Sequence, residues 1–294
     1  MNDLKNFFLN LWAITVYSCT RWWPFAKIPI SSDLHRDGAL IVTLTAKPSR
    51  IEKLWLVLES ILRQTEKPDG LILYLAREEF ANEDVLPESL TRLKKRGLQI
   101  VFVESNLKPH NKYYFAMKSF PRANIVTVDD DKIYPANLIA NLKKGHEKYP
   151  TAICASMTRS LVKEDSKLAP YVKWPVYKFN SKPSHLLVAL GVCGVLYPPN
   201  ALHSDVFDED RLKQLALYAD DLWLKVMALK GNTPVFSVAG SFKETLISIS
   251  GSNTEQLTTR NIGNGENDIV VGKLFSFYHI EEDFISEERI LQDI

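Results

Sequence analysis

Ala123-Asn124-Ile125-Val126-Thr127-Val128-Asp129-Asp130-Asp131 is the stretch around which the chain is organised. Its β-branched run, flanked by Pro121 and by Tyr134-Pro135, predicts a buried strand that delivers three consecutive carboxylates to its end. Adjacent carboxylates repel one another unless a cation neutralises them. Mg²⁺ or Mn²⁺ would do so, because hard cations take carboxylate oxygens and fill their remaining positions with water and substrate phosphates. The expectation is a metal–diphosphate site at the carboxyl end of a strand. The plain alternative is a solvated acidic turn that opens the next helix.

Working outward, the pattern from Leu40 alternates strands with helices. Leu40 to Thr45 reads as a first strand, Ile51 to Gln64 as a helix, Leu71 to Leu75 as a second strand, Pro87 to Arg96 as a helix ended by Gly97, and Leu98 to Val103 as a third strand. A short helix over Tyr113 to Ser119 leads into the aspartate strand, and a helix over Ala136 to Tyr149 and a strand over Thr151 to Met157 follow it. Such alternation predicts βαβ units: an α/β fold with a mixed, mainly parallel sheet flanked by helices. In open sheets of this kind ligands bind beyond the carboxyl ends of the strands, where the aspartates fall.

Further on, Thr158 to Pro183 has no clear period and reads as a long functional loop. Gly191 to Tyr197 reads as a glycine-flanked strand, Tyr218 to Leu229 as a helix stopped by Gly231-Asn232, and Thr233 to Val238 as a last strand. Residues 1–36 form an N-terminal segment, 37–247 the body and 248–294 a Ser/Thr/Asn/Gly-rich lid with an acidic tail.

The 294 residues carry 36 Lys+Arg against 35 Asp+Glu, so no global basic field points to nucleic acid. Three cysteines, Cys19, Cys154 and Cys193, lack metal-ligand spacing and argue for a reducing, cytoplasmic compartment rather than a disulfide framework. The apolar segment Phe7 to Cys19 is too short to span a bilayer, which needs about 20 residues. It reads either as an interfacial helix over residues 7–27, with Arg21, Trp22, Trp23 and Lys27 at the headgroup level, or as a helix packed on the body.

Four features together resemble the nucleotide-sugar glycosyltransferases of the GT-A fold. They are Ser60-Ile61-Leu62-Arg63-Gln64-Thr65-Glu66-Lys67-Pro68, the Asp129-Asp130-Asp131 run, the glycine-flanked segment at Gly191 to Tyr197, and the Asp220-Asp221 pair opening a helix. The similarity covers roughly Leu40 to Val238, with features of both the bacterial family-2 and the exostosin-like branches. The resemblance implies a nucleoside-diphosphate-sugar donor, most commonly of UDP, and a saccharide or lipid-linked saccharide acceptor in surface polysaccharide or lipopolysaccharide assembly. It assigns Asp129 and Asp131 to the metal and ribose, with Asp130 a third candidate. It also assigns Asn111 and Lys112 to the donor, and Thr43, Thr45 and Arg50 to the nucleobase end.

The same resemblance makes the second acidic residue of the pair, Asp221, the base that takes the acceptor proton in an inverting displacement, while Asp220 or Asp221 caps the helix. Gly191, Gly194 and Trp223 are the acceptor contacts it suggests. One departure stands out: the acidic pair and glycine that many relatives carry after the second strand are replaced by Leu75-Ala76-Arg77-Glu78. A sugar nucleotidyltransferase would use similar carboxylates but expects a glycine-rich first loop, and Thr45 to Arg50 has no glycine. A non-catalytic carbohydrate-binding scaffold of the same fold would not need the carboxylates.

Overall fold

The structure, a computed structural model, describes residues 2–20, 27–28, 33–165, 167–177, 182–238, 246–249 and 265–280. The expected headgroup residues Arg21, Trp22 and Trp23, most of the lid and the acidic tail lie outside them. The chain divides into two compact units, Met1–Asn106 with Asn111–Ala140 and Ser241–Ser252, and Leu107–His110 with Asn141–Gly240 and Asn253–Ile294.

The first unit is built on four strands, β1 (Leu40–Thr45), β2 (Gly70–Ala76), β3 (Leu98–Val103) and β4 (Asn124–Thr127). They lie in the order β4-β1-β2-β3, every pair parallel, with Val42 opposite both Leu71 and Val126. Burial follows from the sequence pattern, because β1, β2 and β4 are near-continuous apolar runs of the kind that parallel strands covered on both faces require. Ile41, Ile72, Tyr74, Ala76 and Ile125 share one core cluster with Ala116 of the helix Asn111–Ser119.

The helical segment predicted over Ile51 to Gln64 divides in two. Pro48–Lys53 forms a tighter 3₁₀ turn, with proline suited to the first helical positions, and Leu54–Leu62 is regular α-helix. Gly97 closes the next helical segment at φ 106°, a left-handed position that glycine adopts without steric cost. The N-terminal helix Asn2–Cys19 buries Asn10, Ala13 and Tyr17 and exposes Phe7, Phe8, Leu11, Trp12 and Ile14, so it is packed on the unit along one face only. No helix among the described residues is long and apolar enough to cross a membrane.

The helix Leu138–Lys148 runs across the division between the units. In the second unit the strands Val235–Ser237, Ile153–Ala155 and Val195–Tyr197 are neighbours in that order, the first pair parallel and the second antiparallel. Among the described residues it also holds the helices Glu209–Ala216, Asp220–Lys230 and Glu266–Phe277.

Two expectations are corrected here. The aperiodic loop over Thr158 to Pro183 contains short strands: Thr158–Ser160 pairs antiparallel with both Val176–Tyr177 and Leu187–Ala189, and Lys163–Glu164 pairs with Lys167–Leu168. Strands of two or three residues are too short to show an alternation. The glycine-flanked strand is a 3₁₀ turn, Gly191–Cys193, followed by Gly194 at φ 92° and only then by strand.

Candidate functional site

The sheet of the first unit places the aspartates just beyond the carboxyl end of β4. The backbone N–H of Val128 still donates to Thr43 O of β1 at 3.1 Å, so the chain leaves the sheet with Asp129 fixed beside the end of β1. The segment after the run is held by the motif of the preceding helix. Ser60 Oγ accepts from Tyr134 N–H at 3.1 Å, Gln64 Nε2 donates to Pro135 O at 2.7 Å, and Gln64 Oε1 accepts from Ile139 N–H at 3.0 Å. Tyr134 in turn accepts the backbone N–H of Asp129 at its hydroxyl, 2.8 Å away. The Ser60-to-Pro68 motif thus positions the aspartate turn through Ser60 and Gln64.

Each carboxylate of the run meets a cation of the chain. Lys112 Nζ donates to Asp129 Oδ1 at 2.7 Å. The Arg50 guanidinium donates to Asp130 Oδ1 and lies 3.3 Å from Asp131 Oδ2. Lys132 Nζ is 3.5 Å from Asp131 Oδ1 and donates to Ser248 Oγ at 3.0 Å. The backbone N–H of Lys47 adds a bond to Asp130 Oδ2 at 3.1 Å.

Arg50, Asp130 and Asp131 have side chains only 4% to 8% exposed, whereas Asp129 is 28% exposed. Burial pushes the Asp130 and Asp131 carboxyls up; Arg50 opposes this at Asp130, and Lys132 and then Arg50 oppose it at Asp131. The repulsion that seemed to demand a metal is therefore balanced inside the protein.

The sequence-predicted residues separate accordingly. Arg50, expected at the nucleobase end, is the buried counter-ion of Asp130 and Asp131. Thr43 is fully buried and its hydroxyl donates to Lys112 O, which ties β1 to the start of the helix Asn111–Ser119. Thr45, at the half-buried end of β1, donates to Tyr74 O at 2.8 Å. Asn111 Nδ2 is 3.4 Å from Asn106 Oδ1. Lys132, Lys47 and Tyr134 were missed; a lysine directly after three aspartates was the available signal for the first.

A divalent ion is compatible with the carboxylates on chemical grounds. Asp131 Oδ1 is buried without a hydrogen bond, and Asp129 is the carboxylate of the run that reaches the surface. Yet no group of three or more His, Cys, Asp and Glu among the described residues is disposed to hold a metal. An ion here would take one or two protein oxygens and complete its shell with phosphate and water.

In the second unit, Asp221 Oδ1 accepts the backbone N–H of Gly191 at 3.0 Å, at the turn that Gly194 closes. Neither aspartate of the pair is the helix cap. Ala219 holds that position without a side-chain bond, and Asp220 and Asp221 are the first two helical residues, where acidic groups suit the positive end of the dipole.

Beside Asp221 lies Tyr171, whose hydroxyl is pushed up to about 12 by burial and further by the Asp221 charge. Arg159 sits 4.8 Å from the Tyr171 ring centroid and donates to Trp174 O at 2.7 Å, and Asp268 Oδ1 accepts Tyr171 N–H at 2.6 Å. Sequence periodicity gave no sign of Arg159 or Tyr171. Trp223, expected at the acceptor, is fully buried, with its ring centroid 6.2 Å from that of Tyr278.

No family model and no curated protein matches the chain. Among solved structures, TarS 1–349 from S. aureus in complex with UDP is similar at a TM-score of 0.47 and 10% identity, over 83% of this chain and 72% of that one. The mannosyltransferase PcManGT from Pyrobaculum calidifontis, in complex with GDP-Man and Mn²⁺, is similar at a TM-score of 0.40 and 15% identity, over 81% and 68%. The inositol-1-phosphate CTP transferase from T. maritima is similar at 0.43 and 9% identity, over 76% and 97%.

Proposed function

We propose that the chain is a glycosyltransferase of the GT-A kind, moving a sugar from a nucleoside-diphosphate sugar to a saccharide or lipid-linked saccharide acceptor. The observation that carries this reading is the aspartate run at the carboxyl end of β4, set among Arg50, Lys112 and Lys132. Such a cluster recognises a diphosphate and its sugar: carboxylates accept hydroxyl protons, and ammonium groups donate to phosphate oxygens. Asp129 faces the ribose or the ion, Lys112 the phosphates, and Thr45 the nucleoside end. A bound Mn²⁺ or Mg²⁺, held by Asp129 and Asp131, would neutralise the departing diphosphate as a Lewis acid.

In the second unit Asp221 serves as the general base. An acceptor hydroxyl attacks the anomeric carbon, the bond from that carbon to the phosphate oxygen breaks with its electron pair, and the hydroxyl proton passes to Asp221. Gly191 N–H donates to Asp221 Oδ1 and so orients the carboxylate. The exposed face of the N-terminal helix, Phe8 and Trp12 above all, suits contact with the membrane surface on which a lipid-linked acceptor would sit.

The test is a panel of nucleotide sugars incubated with purified protein and Mn²⁺, with and without chelator, scored by nucleoside diphosphate released. Release from one donor, lost in Asp131→Ala, is the expected result. A protein that instead releases pyrophosphate from a nucleoside triphosphate and a sugar phosphate is a nucleotidyltransferase, and the reading is wrong.

A further inference from the structure

In the free protein the donor cluster carries no net formal charge: three carboxylates, Asp129, Asp130 and Asp131, face three cations, Arg50, Lys112 and Lys132. Further out, Lys47 and Glu79 add one charge of each sign. A divalent ion arriving alone would leave two positive charges uncompensated among side chains that are mostly buried, and a diphosphate arriving alone would leave two negative ones. Uncompensated charge at such sites is costly. A nucleotide-sugar diphosphate carries one negative charge on each phosphate, and a divalent ion cancels both. The pair can enter a neutral site that neither can enter cheaply by itself.

We propose, building on the glycosyltransferase reading, that Lys112 holds Asp129 in the free protein in the place of a divalent ion, so that ion and nucleotide-sugar diphosphate each bind more tightly in the presence of the other. Lys112 is suited to the exchange. Its ammonium is a point charge on a flexible four-carbon stem, and its partner Asp129 is the most exposed carboxylate of the three. When the ion takes Asp129, the ammonium turns to a phosphate oxygen. Arg50 is not free to move in this way, because it is buried between Asp130 and Asp131.

The experiment reads Mn²⁺ bound to the full chain by loss of the free-ion paramagnetic resonance signal, with no nucleotide and with a sugar diphosphate of uridine, guanosine or cytidine, after subtraction of the Mn²⁺ that each nucleotide holds in protein-free buffer. In the wild type, one of the diphosphates is expected to tighten Mn²⁺ binding by about tenfold or more, a coupling of ordinary size between two sites. Lys112→Gln, which leaves Asp129 without its counter-ion, is expected to bind Mn²⁺ alone about tenfold more tightly and to lose most of the coupling. Lys112→Arg keeps the charge and is expected to behave as the wild type, which separates charge from general damage to the fold.

Equal Mn²⁺ affinity with and without the diphosphate that binds, or no gain in Lys112→Gln, overturns the inference while leaving the glycosyltransferase reading intact. If no nucleotide-sugar diphosphate binds in any combination, both fall.

Discussion

Arg50 is the side chain on which the aspartate turn depends. Its guanidinium is shared by Asp130 and Asp131, and all three side chains are buried. Removing one partner of such a network leaves the other charges desolvated and unpaired, at a cost of about 3–5 kcal/mol. Arg50→Met is therefore expected to lower unfolding stability by that amount in denaturant titrations, whereas the exposed pair Arg36–Asp69 should lose about 1 kcal/mol or less in Arg36→Met. Equal losses would mean that Arg50 is not the buried counter-ion.

The cysteines give a second test at this scale. Cys154 is buried and its thiol is pushed up to about 12, Cys193 is buried, and Cys19 is exposed. Because the thiolate is the reactive form, iodoacetamide at about pH 8 is expected to modify Cys19 alone in the folded protein and all three cysteines in denaturant. Rapid labelling of Cys154 in the folded state would contradict its burial.

Among the elements, the helix Leu138–Lys148 shows how closely the second unit is packed. Gly145 lies against the strand Val235–Ser237 and its continuation: a Cβ there would meet Val238 Cγ1 at 2.4 Å and Cys154 Sγ at 3.3 Å. Valine is stiff at its first torsion and cannot swing aside freely. For Gly145→Ala, overpacking of about 1–3 kcal/mol should outweigh the roughly 1 kcal/mol gain in helix propensity. The expected result in thermal or denaturant unfolding is a less stable protein, and a more stable one would show that the contact relaxes.

Elements of this kind also mark what could be read from the sequence. Strands β1, β2 and β4 were legible because their buried runs are continuous and bounded by Pro, Gly or charge, and Leu98–Val103, only partly buried, was bounded to the residue. The short strands Thr158–Ser160 and Leu187–Ala189, and the helix Glu209–Ala216, were not. The strands owe their pairing to partners distant in sequence, and the helix has a short apolar face.

At the scale of the whole molecule, the three aspartates stood out in the sequence by their spacing, and Lys112 and Asp221 by the family resemblance. Their electrostatic state was not legible. Three adjacent carboxylates suggested a metal from the sequence, while the fold brings Arg50 from 80 residues away to meet two of them. A charge run read in one dimension shows the repulsion; only the tertiary structure shows what balances it.

The central claim is that the turn beyond β4 is the donor site. Hydrogen–deuterium exchange with mass spectrometry, on the protein with and without the donor sugar nucleotide plus Mn²⁺, tests it most directly. Slower exchange is predicted in the backbone of residues 45–50, 111–119 and 128–134, with the core of β2, already protected, unchanged. Protection confined to other segments, or none at saturating donor, would contradict the account.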